Sequence, residues 1–108
     1  MNKEILMELV HGILAIMEQQ VVSIILYGSV AKGTYTEESD VDIALLMNGN
    51  LNKDTEEVLS DFIVDMNLKY DTVFSVIDID FDSFKKWESV TPFYKNMTRE
   101  GIVLWKAA

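Results

Sequence analysis

The chain has 108 residues, 49% hydrophobic and 25% charged, which suits one compact domain with a buried core and leaves little room for a second. With no cysteine and a single histidine, disulfides, thiolate metal sites and a typical zinc site are excluded, so any metal must be held by oxygens, as magnesium or manganese is. A net charge of −9, from 18 acidic and 9 basic residues, disfavours direct nucleic-acid binding and favours a basic partner or a substrate that carries its own cations.

The longest apolar runs fall short of the ~20 residues a bilayer requires. The opening Met1-Asn2-Lys3-Glu4 leads into helical periodicity and not into a signal-peptide core, so a cytoplasmic protein is expected. Residues 3–19 put Ile5, Leu6, Leu9, Val10, Ile13, Leu14 and Met17 on one helical stripe, with Glu4, Glu8, His11 and Glu18 on the other side. Val21 to Leu26 is a short β-branched run ending in Tyr27-Gly28, which predicts a buried strand. A turn with about one helical turn follows over residues 28–33, then a polar loop over 34–39.

Asp40 to Met47 reads as a second strand, broken by Asn48-Gly49-Asn50. A helix is expected over residues 54–69, with Asp54 and Glu57 as a capping box and Val58, Leu59, Phe62, Ile63 and Met66 facing inward. Thr72 to Ile79 is the third strand, and residues 81–88 form a short helix with Phe81 and Phe84 inside. Pro92 opens another helix to about Arg99, and Ile102 to Trp105 is a closing strand. The order predicts a single α/β domain over residues 1–108, a small mixed sheet flanked by helices.

Chemistry concentrates in Gly28-Ser29-Val30-Ala31-Lys32-Gly33 and Ser39-Asp40-Val41-Asp42. Asp40 and Asp42 are two apart on a strand, so both carboxylates leave the same face, while Val41, Ile43 and Leu45 enter the core. Adjacent carboxylates repel unless a cation neutralises them. Such a pair suits magnesium or manganese, and two ions about 4 Å apart would serve in-line attack on a phosphoryl group. Gly28 lets the backbone approach a ligand, and the turn after it exposes amides to a phosphate. Ser29 adds a donor, and Lys32 and the Gly33 backbone are further candidates for nucleotide contacts. Asp71 is expected as a third carboxylate, level with the pair if the second and third strands run parallel; it would complete the metal shell or act as base. Asp78 and Asp80 should point away.

Plainer explanations fit some of these residues. Two acids on a strand edge are by themselves most often a solvated face. Lys32 is more often a surface lysine, and Asp71 is about evenly a ligand or a loop acid. An EF-hand is excluded because Val41 and Ile43 interrupt the ligands, and a Walker A loop because Thr34 stands where lysine is required. Phe81, Phe84, Trp87, Phe93, Tyr94 and Trp105 are core and rim aromatics, some of them available to a partner.

Gly28-Ser29, ten residues, then Asp40-Val41-Asp42 resembles the signature of the nucleotidyltransferase superfamily that includes DNA polymerase β and kanamycin nucleotidyltransferase. Leu26-Tyr27-Gly28-Ser29, Ser39 to Leu46 and the closing Arg99 to Trp105 are similar to its minimal prokaryotic branch, the MNT proteins, over roughly residues 4–105. The resemblance implies a polymerase β palm-like fold and transfer of a nucleoside monophosphate, AMP from ATP above all, with magnesium or manganese held by the acids. It further implies a co-encoded helical HEPN-type partner in a toxin–antitoxin module, modified on a tyrosine. Many relatives have Arg where Lys32 stands. The alternative within the same resemblance is an antitoxin that binds its partner with little or no turnover. Homo-oligomerisation is left open.

Overall fold

The computed structural model describes residues 2–33 and 40–108; the polar loop expected over 34–39 lies outside the described residues. Helix α1 (Lys3–Met17) starts where the Asn2 side chain accepts from the Glu4 amide, and ends in a 3-10 turn, Glu18–Gln20. Strand β1 (Val21–Tyr27) leads directly into the short helix α2 (Gly28–Lys32). Strand β2 (Val41–Met47), helix α3 (Lys53–Tyr70) and strand β3 (Phe74–Asp80) form a crossover unit. Helices α4 (Phe81–Trp87) and α5 (Pro92–Glu100) and strand β4 (Ile102–Lys106) complete the order.

The four strands form one sheet in the order β3-β2-β1-β4. β1 is antiparallel to both β2 and β4, whereas β2 and β3 are parallel, as expected of strands joined through a helix. The alternation of side chains along the central strands makes two cores. Val41, Ile43 and Leu45 face α1 and α3, packing with Leu9, Ile13, Leu59 and Met66. Ile25, Ala44, Leu46 and Ile79 face α4 and α5, packing with Phe84 and Met97. The small mixed sheet flanked by helices is therefore the predicted architecture. No helix among the described residues is long and apolar enough to cross a membrane.

Three local expectations need correction. α3 begins at Lys53, and its cap is the Asn52 side chain, which accepts from the Thr55 amide at 2.8 Å; Asp54 and Glu57 are not a capping box. Asn52 holds its acceptor at the right length one residue before the first turn, and Asp54 inside that turn still meets the positive end of the helix dipole. Val58 is 53% exposed, because the buried stripe runs through Leu59 and Met66 and leaves it on the flank. β3 starts at Phe74, since the backbone after α3 must first turn through Asp71, the C-cap, in the left-handed region (φ 49°).

Candidate functional site

The antiparallel register pairs Tyr27 with Asp42, so the end of β1 and the start of β2 meet at one edge of the sheet. Val41 and Ile43, at 1% and 0% exposure, anchor β2 on either side of Asp42 and fix the face from which its carboxylate leaves. Asp40 precedes the strand and is exposed, while Asp42 is half-buried. The chain then has to turn sharply after Tyr27, and Gly28 does so at φ +75°. A Cβ at that position would stand 2.5 Å from Asp42 Oδ2, so the Gly28 backbone lies directly against the carboxylate. Only glycine meets both demands at low cost. α2 opens with no side-chain cap, and Ser29 occupies its first turn. Gly33 closes α2 in the left-handed region, and its amide is committed to the Val30 carbonyl at 3.2 Å.

Burial, and after it the charge of Asp40, pushes the Asp42 carboxyl above its ordinary value. Burial, and after it the charge of Asp42, raises the Tyr27 phenol in turn. Two crowded oxygen acids, one of them already biased toward protonation, fit a divalent cation. Among the described residues no third histidine or carboxylate joins them as a metal-holding group. Asp71 is at the expected end of the sheet, two residues before Val73, whose carbonyl accepts from the Val41 amide at 2.8 Å. It is spent, however, on the exposed end of α3 and is not gathered with the pair. The β3 residue level with Asp42 and on the same face is Ser75. Asp78 and Asp80 lie at the far end of β3, level with Leu45 and Met47, and Asp80 caps α4 through Ser83.

Lys32 forms an ion pair with Glu100 of α5 at 3.0 Å, both side chains substantially exposed. The two bound a cleft of about 130 Å³ that Tyr27, Gly28, Phe93, Asn96 and Met97 also line. Phe93 meets the Tyr27 ring edge-on, with centroids 5.5 Å apart. Tyr27 was legible as the residue ending an apolar strand before the glycine. Phe93, Asn96 and Glu100 come from a helix more than sixty positions later, and nothing local in the sequence announces that α5 folds back over α2.

A sequence profile of the family described as polymerase beta, nucleotidyltransferase matches residues 12–108. The chain belongs to that family. The chain is 34% identical over 109 residues to MJ0604 of Methanocaldococcus jannaschii, named as a protein adenylyltransferase, with 97% of this chain and all of the relative covered. Its fold matches a chain in the crystal structure of a toxin–antitoxin with AMP-PNP, with a TM-score of 0.63 at 19% identity, covering 99% of this chain and 75% of that one. It also matches a chain in the complex of a tri-AMPylated Shewanella oneidensis HEPN toxin with its MNT antitoxin, with a TM-score of 0.58 at 16% identity, covering 98% and 74%. The likeness to known proteins thus extends from the two motifs to the whole fold.

Proposed function

We propose that this chain transfers AMP from ATP to a hydroxyl of a partner protein and acts as the antitoxin of a pair. The observation that carries the reading is the Gly28 backbone set against the Asp42 carboxylate, which puts the β1–α2 turn beside an acid of the pair. The kinship with a protein adenylyltransferase supports AMP and a protein acceptor. Asp40 and Asp42 would hold magnesium or manganese, which when bound supplies positive charge to the phosphate oxygens. The turn at Gly28 and Ser29 receives the phosphates, and Lys32, once released by Glu100, adds a cation to them. The acceptor oxygen attacks the α-phosphorus, the bond to the β-phosphate oxygen breaks, and pyrophosphate leaves. The acceptor's proton leaves to solvent, and the cation that Asp40 and Asp42 would hold lowers the cost of losing it.

The test is ATP labelled at the α-phosphate, incubated with magnesium, this chain and the product of the adjacent reading frame. Label should appear on a tyrosine of that product and vanish in Asp40→Asn and Asp42→Asn, while the complex still forms. One observation favours a second reading, a subunit that neutralises its partner by contact alone: among the described residues no group of three acids or histidines gathers to hold a metal. A tight complex with no label from any of the four nucleoside triphosphates would decide for it.

A further inference from the structure

Helix α3 buries one stripe and leaves the opposite one bare. Leu59 and Met66 are 5% and 2% exposed, whereas Val64 and Leu68, on the far side of the helix, are 52% and 78% exposed. Helical spacing puts Glu57, Asp61, Val64 and Leu68 in one row, with Asp54 and Asp65 beside it, and all four acids are exposed. The three ion pairs among the described residues join Lys32 to Glu100, Lys69 to Glu8 and Lys85 to Glu88, so none neutralises this row. The row also has a direction. Beyond Leu68 comes Val73, 53% exposed, whose carbonyl accepts from the amide of Val41, the residue between Asp40 and Asp42. The acidic ridge with its apolar residues therefore runs toward the end of the sheet that carries the acid pair, with α3 packed on the face opposite the one by which Asp42 leaves.

We infer that this ridge docks a basic amphipathic helix of a protein partner. Apolar side chains of that helix cover Val64 and Leu68, its lysines and arginines face the acids, and the acceptor hydroxyl is presented beyond the Leu68 end, round the end of the sheet. The last point rests on the proposed transfer to a protein; the docking needs neither nucleotide nor metal. Charge argues against a second copy of this chain as occupant, because pairing two such ridges would set acids against acids.

The probe is a fluorescent helical peptide of lysine and leucine in amphipathic order, titrated by anisotropy with magnesium chelated and no nucleotide present. The double variant Val64→Asp, Leu68→Asp should bind it roughly tenfold more weakly, as loss of a central apolar contact does. Attraction by charge alone would instead make that variant bind more tightly, since it is more acidic. Trp87→Asp with Val90→Asp, equally acidic but on exposed apolar residues outside α3, should not weaken binding. Val64→Asn with Leu68→Asn repeats the loss without added charge, and circular dichroism checks that each variant is folded. Unchanged or tighter binding by both ridge variants would overturn the proposal. So would a wild-type dimer in sedimentation that the ridge variants dissociate, which would make the ridge a self-association surface. Asp42→Asn should bind the peptide like wild type, so docking and transfer can fail separately.

Discussion

Gly28 concentrates two constraints on one atom that it lacks. At φ +75° any other residue is strained, and a Cβ would also displace the Asp42 carboxylate. Gly28→Ala should lower stability in urea titration by about 1–2 kcal/mol, the cost of a left-handed alanine. It should also weaken calorimetric ATP binding in the presence of magnesium; ATP binding equal to wild type would mean that the turn is structural only. Asp42 carries the opposite kind of strain. Its folded pKa is raised, by burial and then by Asp40, so folding takes up protons there and the ionised form is the unfavourable one. Stability from this group is present below the ordinary carboxylate range and is lost as pH rises through the raised value. Without metal, Asp42→Asn should therefore be slightly more stable at neutral pH, by ~0.5 kcal/mol or less after solvent screening. That gain should disappear on acidification. A thermal melt series from pH 3 to 7 checks the sign, and a gain that persists at the acid end would contradict it.

At the scale of elements, the pairing of α1 with α3 depends on a notch. Gly12, in the middle of α1, leaves the space into which the Phe62 ring of α3 fits, and a Cβ there would overlap the ring. Alanine would gain about 1 kcal/mol of helix propensity but overpack the interface by about 1–3 kcal/mol, so the clash wins. Gly12→Ala should lower the melting temperature, against the usual sign for a glycine-to-alanine change inside a helix. The parallel register of β2 and β3 makes a second point. Ser75 faces the place where a third carboxylate would stand, level with Asp42. Ser75→Asp should raise manganese affinity by about an order of magnitude, read by calorimetry, and lower the stability of the metal-free protein by adding a like charge. Unchanged metal affinity would place that position outside the site.

The element order, the mixed sheet and the acid pair were legible because each is written locally, in apolar period, turn residues and two-residue spacing. A third acid is less legible: the sequence puts Asp71 at the entrance to β3, whereas the left-handed cap after α3 delays the strand to Phe74 and leaves Asp71 at the helix end. The cap of α3 is ambiguous in the sequence for a similar reason, since Asn52 and Asp54 are both good caps and only the backbone path chooses between them. The notch at Gly12 and the fold-back of α5 over α2 are long-range and carry no local signal.

Across the whole molecule, β1 is paired on both sides by strands of very different provenance. Tyr27 and Asp42 are fifteen positions apart, whereas Ser23 and Lys106 are eighty-three apart. Closing the longer loop costs roughly 1.5 kcal/mol more in chain entropy, and pairings of that kind form late. On refolding, pulsed hydrogen exchange should find the amides shared by β1 and β2 protected before those that β4 makes; simultaneous protection would refute the order. In the interval, β1 offers the apolar run Val21 to Leu26 along an open backbone edge. The same edge on another incomplete molecule is its nearest competitor for β4. Refolding yield should accordingly fall with protein concentration, and a synthetic peptide of residues 101–108 added in excess should restore it by occupying the edge first.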